Sequence, residues 1–158
     1  MEAPHNKSME VLMATRREFC QFISLAGIAG TLQGCGDSPT APSGVPALPS
    51  VPGAAVNGTV MVTVDAASPL ATIGNAALVQ STLGNFLVTR SAQNSFTVVT
   101  AICTHEGCTV TGFENQTYVC PCHGSRYTTS GTVVNGPAAQ PLRAFANQFA
   151  NNVLTINA

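Results

Sequence analysis

The sequence predicts an all-β fold, an antiparallel β sandwich or barrel over residues 57–158. Short runs of β-prone residues alternate with Gly, Asn and Ser along this whole stretch, which is the pattern of strands joined by tight turns. No window in it combines a sustained helical spacing of apolar residues with capping residues at its ends. These two observations together favour a compact domain made of strands.

The expected strands are short and follow one another closely. Asn151 and Asn152 separate the last two strands and predict a hairpin turn, because Asn tolerates positive φ. The longer expected strands cover residues 60–64, 76–79, 86–89, 95–102, 142–150 and 153–156, with shorter ones at 109–113, 118–120 and 132–134.

Charge is scarce in this chain and excludes one class of function. Charged residues make up 8% of the sequence, and from Asp37 onwards the net charge is −1 with three arginines and no lysine. A nucleic-acid-binding protein needs a basic face that displaces phosphate counterions. We therefore expect no nucleic-acid partner.

The first 35 residues resemble an export signal. Arg16 and Arg17 directly precede a mildly apolar segment, as in twin-arginine signals, although an ordinary secretory signal also begins with positive charge. The apolar segment at 19–32 is shorter than the ~20 residues that cross a bilayer. Leu32-Gln33-Gly34-Cys35 resembles a lipobox, so Cys35 is a candidate for lipidation. The alternatives are a chance cysteine beside a cleavage site and an uncleaved N-terminal segment that anchors the chain. Export to the periplasm or the outer face of the membrane is therefore expected.

Residues 36–56 are rich in Pro, Ser, Gly and Ala. Such a composition favours extended, polyproline-like backbone that buries little surface. We predict a tether, semi-rigid or simply disordered, between the signal and the compact domain at 57–158.

Two boxes contain four of the six cysteines and two of the three histidines. Residues 103–108 read Cys-Thr-His-Glu-Gly-Cys, and residues 120–125 read Cys-Pro-Cys-His-Gly-Ser. Each box has a Cys and a His that can bind metal from one loop, and zinc accepts a set of two cysteines and two histidines. A structural zinc site is thus one interpretation, but it leaves Cys108 and Cys122 without a role.

The spaced pattern of the two boxes resembles that of Rieske [2Fe–2S] proteins. The resemblance implies a Rieske-type fold, with a cluster-binding subdomain at about 101–140 inserted between strands. It implies one [2Fe–2S] cluster, with Cys103 and Cys120 on one iron and His105 and His123 on the other. Neutral imidazoles in place of thiolates make the cluster less negative and raise its reduction potential.

The same resemblance assigns roles to residues around the ligands. Cys108 and Cys122 would form a disulfide between the two boxes, a bond that an exported protein can keep. The Ser125 hydroxyl would bond a bridging sulfide and the Tyr127 hydroxyl a ligand sulfur. Both bonds stabilise the reduced cluster and raise its potential.

Two further features bear on the surface above the expected cluster. Gly136 and Pro137 resemble the start of the family's cover loop, although Ala139 stands where a second proline is usual. Glu106 lies beside the ligand His105, where subunits of cytochrome bc complexes usually have an apolar residue. A carboxylate there is costly to bury, and it weakens the inference to a bc complex.

The resemblance implies one-electron transfer through a high-potential cluster at the outer face of a membrane. No nucleophile–base set is evident, so by itself the chain is expected to carry electrons. The expected partner is a quinol:cytochrome c reductase-like complex with cytochrome b- or c-type proteins and quinol. The alternatives are a periplasmic molybdenum oxidoreductase that resembles arsenite oxidase and, more remotely, a structural zinc protein.

Overall fold

The computed structural model describes residues 44–158, and these residues fold into strands with one short 3₁₀ helix at Pro69–Ala71. The prediction of an all-β fold is confirmed. The strands are β1 (Ser50–Pro52), β2 (Ala54–Val56), β3 (Thr59–Thr63), β4 (Ala76–Ser81), β5 (Gly84–Ala92), β6 (Ser95–Thr100), β7 (Gly112–Glu114), β8 (Thr117–Val119), β9 (Arg126–Thr128), β10 (Val133–Asn135), β11 (Asn147–Ala150) and β12 (Val153–Asn157).

The strands form three four-stranded sheets. The middle sheet has the order β1-β4-β5-β6, the basal sheet β11-β12-β3-β2, and the cluster sheet β10-β9-β8-β7. All neighbours are antiparallel except β1 and β4, which are parallel. The cluster sheet occupies the interval between β6 and β11, where the sequence predicts an inserted subdomain.

The middle sheet is buried on both faces because successive side chains of a strand point to opposite sides. One face contributes to a core with the basal sheet, which we call the basal core: Val60, Val62, Val64, Leu70, Ala77, Val79, Phe86, Val88, Phe96, Val98, Leu154 and Ile156. The other face contributes to a core with the cluster sheet and its loops, which we call the cluster core: Leu48, Ala76, Leu78, Leu87, Val99, Ala101, Cys103, Val110, Tyr118, Cys120, Tyr127, Ala138 and Leu142.

Three hairpins turn on residues with positive φ. Asn151 and Asn152 have φ of 50° and 60° and join β11 to β12, as the sequence predicts. Asn57-Gly58 joins β2 to β3, and Asn115-Gln116 joins β7 to β8, each with positive φ at both positions. Two such residues in a row give the turn whose twist matches that of the flanking strands.

The described part of the predicted tether differs from the prediction. Leu48 is buried, and β1 and β2 pair with the middle and basal sheets. The prolines favour the extended backbone that the sequence indicates, but this backbone offers carbonyls to neighbouring strands. The oxygens of Pro46 and Pro49 accept hydrogen bonds from the N–H groups of Phe113 and Leu78. Proline, which lacks a donor, is tolerated in such edge strands.

The export signal, the lipobox and residues 36–43 of the tether lie outside the described residues, and so do Arg16, Arg17 and Cys35. Within residues 44–158, no helix has the length and apolarity needed to cross a bilayer.

Candidate metal centre

The two boxes fold into loops with the same backbone hydrogen bonds. In the first, Cys103 N donates to Cys108 O at 2.8 Å and Gly107 N donates to Cys103 O at 2.9 Å. In the second, Cys120 N donates to the backbone carbonyl oxygen of Ser125 at 2.8 Å, and Gly124 N donates to Cys120 O at 3.1 Å. We call these cluster loop 1 (103–108) and cluster loop 2 (120–125).

A glycine with positive φ closes each loop. Gly107 has φ of 75° and Gly124 has φ of 72°, a conformation that a residue with a Cβ adopts at a cost. The glycine at the fifth position of each box therefore serves the turn itself.

The predicted ligands divide into a buried pair and an exposed pair. Cys103 and Cys120 are 2% and 1% exposed, and both thiols are free. The side chains of His105 and His123 are 27% and 49% exposed. Their rings lie edge to face with centroids 4.9 Å apart. The thiols thus face the cluster core, whereas the imidazoles lie at the surface.

This arrangement fits a centre with two metal ions better than a single zinc ion. One tetrahedral zinc ion would hold all four donor atoms within roughly 4 Å of one another. Among the described residues, the only group of metal-binding side chains with all ligand atoms within 4.8 Å consists of His105, Glu106 and His123, without either cysteine. Thiols and imidazoles therefore form two separate donor pairs. Soft thiolates are the ligands that iron–sulfur clusters prefer.

The Tyr127 hydroxyl lies at the centre of a hydrogen-bond group around Cys103. It is 3.2 Å from Cys103 Sγ and accepts from Thr104 N at 3.2 Å. The Thr104 hydroxyl is 3.1 Å from the same oxygen and donates to Gln140 O at 2.6 Å. Because the Thr104 proton goes to a carbonyl, the Tyr127 proton is left for Cys103 Sγ or Thr104 Oγ1.

These contacts shift the pKa values of the two buried thiols in opposite directions. Burial opposes ionisation of Cys103, but hydrogen bonds from Tyr127, the His105 backbone and other neighbours hold its pKa below the ordinary value. Burial, together with the neighbouring Cys103, raises the pKa of Cys120 to about 11. Two adjacent thiolates repel each other, and a bound cation removes that penalty. A metal ion bound to both sulfurs would therefore favour the two thiolates.

A disulfide joins the two cluster loops. Cys108 and Cys122 are bonded to each other, in the pairing that the family resemblance implies. The bond connects the end of cluster loop 1 to the third residue of cluster loop 2, beside His123. It therefore holds both loops, and with them both donor pairs, in one arrangement.

Residues 136–140, which we call the cover loop, contact both cluster loops. A Cβ on Gly136 would lie 2.5 Å from the Ser125 Cα, so the close packing there requires glycine. Ala138 N donates to the Ser125 hydroxyl oxygen at 3.2 Å, which leaves the Ser125 proton free for a sulfur acceptor. Gln140 O accepts from Thr104 at the opposite end. Pro137 lies between these contacts and is exposed.

Two acidic residues lie near the loops in different settings. Glu106 is 59% exposed, and its carboxylate oxygens lie 3.8 Å from His105 Nε2 and 3.6 Å from His123 Nδ1. The carboxylate is therefore shared between both imidazoles. Glu114 in β7 instead pairs with Arg126 in β9 at 2.6 Å, across the intervening strand β8, so the two charges largely cancel.

The sequence does not identify every residue of this site. Thr104 could have been noticed as a hydroxyl inside a metal-binding box. Ala138 and Gln140 contribute only backbone atoms, and no side-chain pattern predicts such a contribution. The ligand assignments and the roles of Ser125 and Tyr127 remain predictions, now with a geometry in which each can act.

The chain matches known proteins over the region that contains both boxes. A family model described as the Rieske [2Fe-2S] domain matches residues 61–146. The cytochrome b6-f complex iron-sulfur subunit of Chlorobaculum tepidum is 38% identical over 64 residues, which cover 40% of this chain and 35% of that protein. The corresponding subunit of Trichodesmium erythraeum is 58% identical over 40 residues, which cover 24% of this chain and 22% of that protein. The chain thus spans about a third or less of the length of these relatives.

The fold also matches a solved structure. The cyanobacterial plasma membrane Rieske protein PetC3 from Synechocystis PCC 6803 aligns with 61% of this chain and 99% of its own, at 30% identity and a TM-score of 0.52. The predictions of a Rieske-type fold and of one [2Fe–2S] cluster are confirmed. The family model covers more than half of the sequence, including both cluster loops and the cover loop. The chain therefore belongs to the Rieske [2Fe–2S] family.

Proposed function

We propose that this chain carries one electron at a time as the iron–sulfur subunit, or a close partner, of a membrane oxidoreductase. The observation that carries the proposal is the division of the donors. Cys103 and Cys120 would hold the inner iron from the cluster core. His105 and His123 would hold the outer iron at the surface. A partner that touches the imidazole edges then reaches the redox centre without opening the domain.

The surrounding residues support this role. A Rieske cluster supplies reversible one-electron chemistry at a higher potential than all-cysteine clusters. Tyr127 and Ser125 offer hydroxyl protons toward sulfur, and such bonds favour the reduced form. The disulfide and the cover loop hold the loops in place, and this limits the rearrangement that each transfer requires.

We propose a quinol-oxidising cytochrome complex as the first candidate partner. The support is the similarity to iron-sulfur subunits of cytochrome b6-f complexes. In such a role an exposed ligand histidine accepts the quinol proton while an electron leaves the quinol. The exposed edges of His105 and His123 are compatible with that role.

One observation favours a second candidate, a periplasmic oxidoreductase such as a molybdenum enzyme that resembles arsenite oxidase. Glu106 places a carboxylate between the two imidazoles at the surface. An apolar quinol pocket would have to bury this charge at considerable cost. A polar protein interface would not, because it can leave the carboxylate in water.

We propose that the chain is exported folded and works outside the cytoplasmic membrane, tethered there by Cys35 or by its N-terminal segment. The support is the Arg16-Arg17 pair with its apolar segment and the disulfide, which persists in oxidising compartments. Replacing both arginines by lysine should leave the protein in the cytoplasm, as measured by cell fractionation. Normal export of that variant would remove the twin-arginine proposal.

The cluster and its ligands are tested on purified holoprotein. Metal and sulfide analysis should give two irons and two acid-labile sulfides per chain, and reduction should give a Rieske-type paramagnetic resonance signal. Cys120→Ala should lose iron and signal, whereas Cys20→Ala, a cysteine outside both boxes, should keep them. A zinc-only analysis of the wild type would overturn the proposal.

The partner is tested by isolating the tagged chain from its native membranes. Co-purification of b-type haem would support the quinol-oxidising complex, whereas co-purification of molybdenum would support the second candidate. Reduction of the purified assembly by quinol, with and without a quinol-site inhibitor, then separates the two directly.

A further inference from the structure

A concave pocket of about 470 Å³ opens beside cluster loop 1. Its lining includes Leu83, Asn85, Ile102, Arg143 and Phe145, and we call it the Arg143 pocket. Ile102 directly precedes the predicted ligand Cys103, so their Cα atoms are about 3.8 Å apart. The pocket therefore adjoins cluster loop 1, although none of its lining residues belongs to either cluster loop.

The pocket presents apolar side chains to solvent. Leu83 and Ile102 are each 45% exposed and are among the few large hydrophobic residues at the surface of the described chain. Both line this one concavity. Apolar side chains gathered in a recess mark surfaces that bind a partner, whereas the same residues scattered singly would need no explanation.

Arg143 gives the pocket its charge. Of the three arginines among residues 44–158, Arg90 is buried and hydrogen-bonded to carbonyls, and Arg126 pairs with Glu114. Arg143 is exposed and forms no ion pair within that part of the chain. The recess also contains polar side chains, among them Thr82, Asn85 and Thr100. In a domain with so few charges, one unpaired cation in such a mixed recess is a specific attraction for a carboxylate.

The cation is held in position before any partner arrives. Its guanidinium lies 4.5 Å from the centroid of the Phe145 ring, and Phe145 packs edge to face on the buried Phe86 at 4.9 Å. The backbone is also fixed, because Thr100 N donates to Arg143 O at 2.8 Å and Ala101 N donates to Asn85 O at 3.0 Å. Such preorganisation reduces the entropy lost on binding.

We propose that the Arg143 pocket is the docking site of an acidic redox partner protein. A carboxylate of the partner binds Arg143, and an apolar side chain fills the space between Leu83 and Ile102. Arginine and large apolar residues are the kinds of side chain that dominate interface energies. The proposal rests on the proposed electron-transfer function, and it adds a docking face whose residues do not include His105 or His123. One electron passes from the reduced chain to a ferric haem of the partner, which becomes ferrous.

The test uses wild-type holoprotein and two monohaem c-type cytochromes as probes, one with an acidic face and one with a lysine-rich face. Binding is measured calorimetrically with both proteins oxidised, so that affinity is separated from electron transfer. Arg143→Gln should weaken binding of the acidic cytochrome about tenfold, and high ionic strength should remove most of that difference. Arg143→Lys keeps the charge but loses the planar guanidinium that stacks on Phe145, so it should retain only part of the affinity.

A matched control adds one negative charge elsewhere. Thr63→Glu changes the net charge by the same amount as Arg143→Gln, but β3 contributes no residue to the pocket. It should weaken binding less than threefold, in line with the small effect of a distant surface charge. Leu83→Ser tests the apolar contact and should weaken binding at both low and high ionic strength.

The docking proposal is overturned if Arg143→Gln and Thr63→Glu weaken binding equally, or if wild type binds the lysine-rich cytochrome more tightly than the acidic one. The proposed function fails separately, if wild type with a full cluster transfers no electron to either cytochrome. The paramagnetic resonance signal of each variant should match wild type, which shows that the cluster is intact.

Discussion

The two cores on either side of the middle sheet are built differently. The basal core consists of aliphatic and phenylalanine side chains from two sheets of regular strands. The cluster core contains both tyrosines, the two free cysteines and several small residues, and its loops depend on a disulfide and on backbone hydrogen bonds. Apolar burial is non-directional, whereas hydrogen bonds and covalent bonds fix atoms in place. The basal core therefore contributes mainly to the stability of the fold, whereas the bonds around the cluster core fix the positions of the cluster loops.

The largest effect is expected at a polar residue on the basal side. Arg90 donates to the carbonyls of Leu70 and Ala71 at 3.2 and 2.8 Å and also to Gln93 O. Its guanidinium carbon lies 5.5 and 5.6 Å from the ring centroids of Phe96 and Phe149, which themselves pack together. Arg90→Met leaves these carbonyls without donors, so we expect a loss of about 4 kcal/mol in the free energy of unfolding. Urea denaturation measures it.

The matched control for Arg90 is Arg143→Met. Arg143 also stacks on a phenylalanine ring but is exposed, so its loss should cost less than about 1 kcal/mol. The midpoint potential of Arg90→Met should equal that of wild type wherever the protein remains folded. Equal destabilisation by the two substitutions would mean that the buried hydrogen bonds contribute nothing beyond stacking.

The next effect concerns the disulfide on the cluster side. Cys108 and Cys122 are 14 residues apart, and closing a loop of this size contributes about 3 kcal/mol. Replacing both by alanine should therefore destabilise the cluster loops by about that amount. Amide hydrogen exchange should show the loss in residues 101–140, with β3 and β12 still protected. Equal loss of protection in β3 and β12 would mean that both cores unfold as one unit, which would contradict separate roles for the basal core and the cluster core.

The regular strands were predictable from the sequence, and the irregular ones were not. The alternation in β3 to β6 and the Asn151-Asn152 turn predict their positions within a few residues. Strands β1 and β2 escape prediction because proline-rich sequence indicates extended backbone but not what that backbone pairs with. Strand β9 escapes because it consists of three residues directly after cluster loop 2.

The residues of the candidate site also include some that the sequence predicts and some that it does not. Spacing of Cys and His predicts the ligand residues, because metal chemistry restricts which side chains can serve. The contact between Thr104 and Gln140 spans 36 residues and ends on a backbone carbonyl, which any residue could supply. Such contacts depend on how the cover loop folds over the cluster loops, and a single sequence contains no local signal for that.

The two buried tyrosines offer a finer comparison within the cluster core. The Tyr127 hydroxyl contacts Cys103 Sγ, whereas the Tyr118 hydroxyl bonds Thr89 of the middle sheet. Tyr127→Phe should lower the midpoint potential by roughly 40 mV, because a bond to sulfur of about 1 kcal/mol favours the reduced form. Tyr118→Phe should lower stability by a similar free energy without moving the potential. Redox titration and urea denaturation of both variants measure this. A drop in midpoint potential for both variants would mean that the packing of the rings, and not the Tyr127 hydroxyl, sets the potential.

The smallest effect is expected at Glu106, the charge between the two imidazoles. The carboxylate lies within 4 Å of an imidazole nitrogen of each predicted ligand histidine. An exposed unit charge near a redox centre contributes on the order of 0.6 kcal/mol, equivalent to about 25 mV for one electron. Glu106→Gln should raise the midpoint potential by that amount, because the carboxylate disfavours the added electron. The shift should shrink at high ionic strength, since the side chain is 59% exposed.

Asp65→Asn, at an exposed carboxylate that follows β3, should leave the potential unchanged. A fall in potential for Glu106→Gln would contradict the electrostatic argument. An equal rise in both variants would mean that the potential reports net charge and not the position of Glu106.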